Sequence, residues 1–272
     1  MLGIKLAACA VTLLVSLVLP VALPIVLSRK YRTEGVWKAW LVGAVGFVVP
    51  QVLIRLPILS YLGTRADFVA FAQNHLLVYM LGLAFTAGLF ELSGRFFGAR
   101  VLRKELTFRK AVIMGLGHGG IEAMILTGIS YVSNIAFLIT MLNGSLDAQI
   151  AGLTAAGTDA SQLIAMRETM LNTGAGMFLL AGLERLLAMT CHVCMTTMVC
   201  YGVARGKAGK MCLSCLLVHF LLDCTPAFSL LPQNQALAYG IIYSLLIVMT
   251  IVCLYILKKL SAVWKEENVN VQ

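Results

Sequence analysis

Residues 236–258 read ALAYGIIYSLLIVMTIVCLYILK, in which 22 uncharged residues are followed by Lys258. A helix needs about 20 apolar residues to cross roughly 30 Å of hydrocarbon, so this run is long enough for one transmembrane span. Six more apolar runs of comparable length lie near 5–27, 36–57, 68–92, 109–143, 174–203 and 211–231. The sequence therefore predicts an all-α fold, a polytopic transmembrane helical bundle of about seven spans.

The composition supports the same fold class. Hydrophobic residues make up 60% of the 272 residues and charged residues 12%, and the mean hydropathy is +0.91. Soluble domains carry about 25% charged residues, so this chain cannot cover a globule of its size with polar surface. Disordered chains, secreted domains and nucleic-acid-binding modules are excluded. Residues 1–272 are expected to form a single integral membrane domain whose surroundings are the lipid bilayer of the cell membrane, with no nucleic-acid partner.

The positive charges predict the orientation of the spans. The net charge is +9, and 16 of the 21 Lys and Arg residues fall in or beside alternate connections. Cytoplasmic loops are the ones enriched in Lys and Arg, so the N-terminus is expected outside and the C-terminus in the cytoplasm. The 16 residues are Arg29, Lys30, Arg32, Lys38, Arg95, Arg100, Arg103, Lys104, Arg109, Lys110, Arg205, Lys207, Lys210, Lys258, Lys259 and Lys265.

The run 109–143 is long for one plain crossing, and it is either one bent helix or two short ones. Two crossings would give eight spans and would place the basic turn 205–210 outside, against the charge pattern. One bent helix is therefore predicted. The segment 144–173 then becomes an extracytoplasmic loop, in which a short helix is expected near 160–172.

Ionisable residues lie inside these spans, where each costs at least about 2.5–3.5 kcal/mol to insert and usually marks a functional site. His118 and Glu122 are four residues apart and share one helix face, and His219 and Asp223 repeat that spacing. By helical rise, three histidines on three helices lie about 12–16 Å from the predicted cytoplasmic boundary. The ionisable residues singled out within spans are Glu91, His118, Glu122, Glu184, Arg185, His192, His219 and Asp223.

Each of these residues also has a structural interpretation. A buried histidine can be a hydrogen-bonding core residue, and Glu184 with Arg185 can form a structural pair between helices. Glu91 and Arg95 are four residues apart, as in an ordinary helical ion pair. The alignment of the histidines at one depth favours a functional site over these separate explanations.

Four segments carry a family resemblance: FELSGR, GLGHGGIEA, LERLLAMTCH and HFLLD, which begin at Phe90, Gly115, Leu183 and His219. They resemble the YhfC family of predicted intramembrane proteases, within the larger group of CAAX-processing and bacteriocin-immunity membrane proteases. That group has a Glu-Glu-x-x-x-Arg motif, then a histidine, then His-x-x-x-Asn/Asp. The resemblance implies functional roles for Glu91 with Arg95, for His118, and for His219 with Asp223. Together with the residues aligned inside the spans, the predicted catalytic residues are Glu91, His118, Glu122, His192, His219 and Asp223, supported by Arg95, Glu184 and Arg185.

The first motif departs from the pattern of the group. Leu92 stands where a second acidic residue would follow Glu91, and the spacing to Arg95 is one residue shorter. Glu122 therefore stays an alternative to Glu91 as the catalytic carboxylate.

The chemistry of a peptidase is consistent with these residue types. Hydrolysis needs an activated water, a base, and donors for the developing oxyanion. A carboxylate and a histidine can supply these without a metal, as in a glutamic-type protease. Alternatively, His118, His192 and His219 can bind zinc and leave an open position for water, as in a metalloprotease. The sequence leaves both mechanisms open.

The leading prediction is thus an intramembrane peptidase that cuts a peptide or membrane-protein substrate near the cytoplasmic half of the bilayer. Two alternatives remain. Buried Asp, Glu and His residues also form proton relays, as in a proton-coupled transporter. The second alternative is a membrane immunity or scaffold protein without enzymatic activity.

Overall fold

The computed structural model describes residues 1–230 and 234–269, with side chains as far as Trp264. The side chain of Lys265, and residues 232–233 of the uncharged connection 232–235 expected between the last two spans, lie outside the described part. Within the described residues the chain is helical, with no strands, and seven helices are long and apolar enough to cross a membrane. The protein is therefore an all-α polytopic membrane protein, as predicted, while its orientation stays a prediction.

The helices are numbered here in chain order. The seven candidate spans are α1, α2, α4, α5, α8, α9 together with the 3₁₀ turn Thr225–Leu230 that follows it, and α10. Another 3₁₀ turn, Arg103–Glu105, follows α4. The bounds are α1 Leu2–Tyr31, α2 Val36–Leu62, α3 Ala66–Asn74, α4 Leu76–Val101, α5 Phe108–Leu142, α6 Ser145–Ala155, α7 Ser161–Asn172, α8 Ala175–Ala204, α9 Ala208–Asp223 and α10 Gln235–Val269.

The predicted third span, 68–92, is wrong at both ends. The short helix α3 covers the first residues of that range. The helical conformation is interrupted at His75, whose φ of −130° and ψ of 48° are not helical. The apolar residues of α3 resemble the start of a span, but the polar pair Gln73–Asn74 and His75 separate them from α4. At the other end, α4 continues to Val101 because Glu91 and Arg95 are buried and paired.

Three of the long helices contain a widened, π-helical turn. In α5 this turn is Met124–Gly128, so the run 109–143 forms one helix, as predicted. In α1 and α2 the turns are Leu14–Val18 and Val48–Arg55, close to Pro20 and around Pro50. Proline lacks an N–H and clashes with the carbonyl four residues earlier, and a wider turn relieves both effects.

The segment 144–173 contains two helices, α6 and α7. The second, Ser161–Asn172, corresponds to the helix expected near 160–172, whereas α6 was not expected. The buried ammonium group of Lys5 donates hydrogen bonds to the carbonyl oxygens of Met170 and Leu171, at 2.8 and 2.6 Å. This contact holds the C-terminal end of α7 to α1.

The chain groups into two compact units, and α1, α5 and α8 contribute residues to both. The first unit comprises residues 1–19 and 123–186, and the second comprises 20–122 and the described part of 187–272. In the first unit, the hydroxyl groups of Thr12 and Tyr131 donate to the carbonyl oxygen of Phe178, at 2.6 and 3.1 Å. The expectation of a single integral membrane domain stays a prediction.

In the second unit, α2 packs directly against the backbones of α4 and α5. A Cβ atom on Gly94 would lie 1.7 Å from the carbonyl oxygen of Gly46, and one on Gly117 would lie 2.0 Å from that of Trp40. Such close approach is open to glycine because it has no side chain. These contacts bring the buried polar residues of α4 and α5 within reach of one another.

Candidate metal centre

A cluster of ionisable side chains is buried in the second unit. The side chains come from α4, α5, α8 and α9, four helices that are separate in sequence. Arg95 and His118 are 0% exposed, His219 is 1% exposed, and Glu91 and His192 are each 3% exposed. The members are Glu91, Arg95, His118, Glu122, His192, His219 and Asp223.

The carboxylate of Glu91 lies at the centre of this cluster. Its Oε2 atom is 3.0 Å from Nε2 of His118 and 3.1 Å from Nη2 of Arg95. The same oxygen is 3.7 Å from Nε2 of His219 and 3.8 Å from Nδ1 of His192. Four helices thus direct a nitrogen atom toward one buried oxygen.

Arg95 connects two of the histidines. Its Nη2 lies 2.6 Å from Nδ1 of His192, and its Nη1 lies 3.2 Å from Nδ1 of His219. A guanidinium group has donors and no acceptor, so both Nδ1 atoms must accept with their lone pairs. The protons of these two neutral imidazole rings therefore reside on Nε2.

The protonated nitrogens of both rings face carboxylates. Nε2 of His192 lies 2.8 Å from Oε2 of Glu122, and Nε2 of His219 lies 3.3 Å from Oδ2 of Asp223. A carboxylate behind a histidine fixes the tautomer and orientation of the ring, which is the arrangement that metal-binding histidines usually have. The i, i+4 spacing of His219 and Asp223 on α9 produces one of these pairs, and the contact between α5 and α8 produces the other.

His118 differs from the other two histidines. Its Nε2 faces Glu91, while its Nδ1 is buried and has no hydrogen-bond partner among the described residues. The ring packs edge-on against Phe47, with ring centres 5.5 Å apart, and stacks on His192 at 5.6 Å. A Cβ on Gly119 would lie 2.8 Å from Cβ of His192, so this glycine allows the two histidine rings to meet.

Glu184 and Arg185, predicted as supporting residues, belong to the first unit. There their side chains form an ion pair with each other. The cluster described above is built from residues of the second unit. Their supporting role stays a prediction. The ion pair joins adjacent residues of one helix, α8, so it does not test the pair between helices that the structural interpretation expects.

Arg55 is a buried charge that the sequence analysis missed. It lies on α2, is 7% exposed, and donates to the carbonyl oxygen of Leu83 at 2.7 Å and to the hydroxyl of Thr86 at 3.2 Å. Its positive charge also interacts with the carboxylates of Glu91 and Asp223. An arginine inside the apolar run 36–57, five residues after a proline, was the signal that could have revealed it.

The cluster contains donors that a metal ion can use. One donor atom from each of Glu91, His118 and His192 lies within 4.8 Å of the other two. Imidazole nitrogen and carboxylate oxygen are common zinc ligands, and Glu122 behind His192 completes the usual support. The residues therefore fit zinc, with Glu91 in place of His219 relative to the set predicted from sequence.

Comparison with known proteins identifies a family for this chain. A family model described as YhfC intramembrane metalloprotease matches residues 15–252, a range that contains the whole cluster. The chain belongs to the YhfC family. It is also 28% identical over 210 residues to the "Uncharacterized membrane protein YhfC" of Bacillus subtilis (strain 168), which covers 77% of this chain and 79% of that protein. No solved structure matches the chain.

Membership of the YhfC family confirms the resemblance carried by the four sequence segments. The family description also names a metalloprotease, which supports the prediction of a protease and of zinc. That description assigns no role to an individual residue.

Proposed function

We propose that this protein is a metal-dependent intramembrane peptidase that hydrolyses a peptide bond of a peptide or membrane-protein substrate. We place the reaction in the cytoplasmic half of the plasma membrane, following the predicted orientation. The observation that carries the proposal is the buried group of Glu91, His118 and His192, which lies inside helices long enough to span a bilayer.

In this proposal, Glu91, His118 and His192 hold the metal. A zinc ion bound there would polarise the carbonyl group of the substrate and acidify a water molecule. Glu122 keeps the proton of His192 on Nε2, so that Nδ1 presents its lone pair to the metal side of the ring. The three ligands come from three helices, which keeps the site rigid.

Three further side chains of the cluster have proposed roles. The guanidinium of Arg95 presents N–H groups beside Glu91, where it can stabilise an oxygen that becomes negatively charged. Glu122 stays the alternative catalytic carboxylate, because Oε2 of Glu91 is already surrounded by four nitrogen atoms. His219, held by Asp223, positions Arg95.

The test is cleavage of labelled single-span peptides that are reconstituted with the purified protein in lipid vesicles. Products are identified by mass spectrometry. His118→Ala, His219→Ala and Glu122→Gln are each expected to lower cleavage by at least about 100-fold while the variants remain folded. Glu168→Gln, in the exposed helix α7, is the matched control and should cleave like wild type.

Full cleavage by a His118→Ala/His219→Ala double variant would overturn the proposal. A second readout separates the transporter alternative. Proton uptake into sealed vesicles that carry no substrate peptide, abolished by the same substitutions and without any cleaved product, would favour a proton-coupled transporter.

A further inference from the structure

The position of Arg95 is unusual for a residue beside a metal site. Its Nη2 lies 2.6 Å from Nδ1 of His192 and 3.1 Å from Oε2 of Glu91, two of the proposed metal ligands. The side chain is fully buried, and arginine stays protonated in proteins. A permanent positive charge therefore occupies the place where these two ligands would direct their lone pairs at a metal.

We propose that the guanidinium of Arg95 is an internal cation that competes with a divalent metal ion for Glu91 and His192. Metal binding displaces the guanidinium toward His219, which it already contacts. The inference rests on the metal-dependent form of the proposed function. It adds that this chain controls metal loading with a side chain of its own.

Competition follows from the geometry of the imidazole ring. The Nδ1 atom of His192 has one lone pair, and a zinc ion would bind it at about 2.0–2.1 Å. The Nη2 atom lies along that lone pair at 2.6 Å, so a zinc ion and this nitrogen cannot both be there. Repulsion between the two positive charges in a buried site adds to the steric exclusion.

The contacts of Arg95 also show how its guanidinium can move away from Glu91 and His192. Nη1 is 3.2 Å from Nδ1 of His219, and that ring is held on its other side by Asp223. The donor set of Glu91, His118 and His192 does not include His219. Nε of Arg95 has no hydrogen-bond partner among the described residues, so it does not resist a rotation of the guanidinium about the His219 contact.

The first experiment measures zinc affinity without any substrate. Metal-stripped protein in detergent is titrated with zinc against a chromophoric chelator. Arg95→Met, which removes the competing cation, is expected to lower the Kd about 10- to 100-fold, with one zinc per chain. Arg100→Met is the matched control, because Arg100 is an exposed arginine on the same helix, and its Kd should equal that of wild type. An Arg95→Met Kd equal to or higher than that of wild type would overturn the inference.

Arg95→Lys is a second variant that keeps the inference testable if Arg95→Met does not fold. It keeps the buried charge, but a lysine ammonium cannot bridge His192 and His219 as the planar guanidinium does. Its Kd is expected between those of wild type and Arg95→Met. If Arg95→Met does not fold, an Arg95→Lys Kd no lower than that of wild type contradicts competition.

A double-mutant cycle with His219→Leu tests the displaced position. If His219 acts through Arg95, this substitution raises the Kd for zinc in the wild-type background and has little effect in the Arg95→Met background. An equal loss of affinity in both backgrounds would show that His219 is itself a ligand, and would overturn its assigned role as the displaced position.

The outcomes for this inference and for the peptidase are separable. If the Kd values follow the expected order while no peptide is cleaved, the peptidase proposal fails and the competition stands. If peptides are cleaved while Arg95→Met and wild type have the same Kd for zinc, the competition fails and the peptidase proposal stands.

Discussion

Glu122 and Asp223 both lie behind a histidine, yet the two histidines differ in what their other nitrogen can bind. Nδ1 of His192 is close to Glu91, within the group of potential metal ligands, whereas Nδ1 of His219 faces Arg95 alone among the described residues. Two chemically similar pairs therefore have different expected roles. Substituting the carboxylates one at a time can separate these roles.

Glu122→Gln is expected to raise the Kd for zinc by about 10- to 100-fold, because the amide stays beside Nε2 of His192 but loses the negative charge that strengthens the ligand. Asp223→Asn makes the same change behind His219 and should have a much smaller effect. The measurement is the chelator titration described above. An equal loss of affinity in both variants would indicate that His219 binds the metal directly.

Arg55 is expected to position the site through its charge. Arg55→Met should reduce cleavage, because two carboxylates lose a neighbouring cation, and should also destabilise the fold by about 1–3 kcal/mol, since the carbonyl of Leu83 loses its donor. Arg55→Lys should restore much of the cleavage. The assays are cleavage and thermal unfolding in detergent, and equal activity of the Met and Lys variants would exclude a role for the charge.

At the scale of the helices, the site depends on glycine contacts that let backbones approach closely. Gly94 of α4 faces Gly46 of α2, and a Cβ on Gly94 would lie 1.7 Å from the Gly46 carbonyl oxygen. Glu91 and Arg95 lie on α4 within one turn of this contact. The separation of α2 and α4 therefore affects where the polar cluster sits.

Gly94→Ala is expected to lower the thermal stability by about 1–3 kcal/mol or more, because the methyl group has to push two backbones apart. Gly82→Ala on the same helix is the control, since a Cβ there would have no atom of another helix or of a nearby side chain within 4 Å. That substitution should be neutral or stabilise the helix by up to about 1 kcal/mol. Unfolding in detergent measures both, and equal stability of the two variants would contradict the close contact.

Glu105 joins three elements at one membrane boundary. It lies in the turn after α4 and accepts hydrogen bonds from Lys110 of α5, at 2.8 Å, and from Lys38 of α2. The bonds from Lys110 and then Lys38 lower the pKa of Glu105 from its ordinary 4.5 to about 2. A carboxylate with a lowered pKa stabilises the fold fully above its unfolded-state pKa, and this contribution disappears as the pH falls toward the folded-state value.

Glu105→Gln is thus expected to lower the melting temperature at pH 7. The difference from wild type should stay constant down to about pH 4.5 and shrink below it, as the unfolded and then the folded carboxylate becomes protonated. Melting curves between pH 7 and pH 3.5 measure this. Glu34→Gln, another acidic residue in a connection between helices, is the comparison, and a difference that grows on acidification would contradict the assignment.

At the scale of the whole molecule, seven candidate spans place the two termini on opposite sides of the membrane if every span crosses. The distribution of Lys and Arg then predicts the C-terminus inside. A green fluorescent protein fused to the C-terminus should fluoresce, and a protease site inserted between α6 and α7 should be cut from outside intact cells. An alkaline phosphatase fusion that is active at the C-terminus would reverse this orientation.

The sequence by itself determined the fold class, the seven spans, the family and most of the buried polar residues. These features depend on local properties: the length of an apolar run, the spacing of residues on one helix face, and short motifs such as HGGIE. For example, the spacing of His219 and Asp223 was sufficient to predict that their side chains share a face. The single bent helix at 109–143 was predicted because Lys and Arg residues lie in alternate connections only if this run crosses the membrane once.

The tertiary structure decided which of these residues meet, and through which atoms. It placed Glu91 rather than His219 among the potential ligands, put the guanidinium of Arg95 between two histidines, and brought Arg55 near the carboxylates. These contacts join residues from different helices, and their distances depend on how closely the helices pack at glycine contacts such as Gly46–Gly94. Hydropathy and periodicity report the faces of single helices, so they carry no measure of that separation.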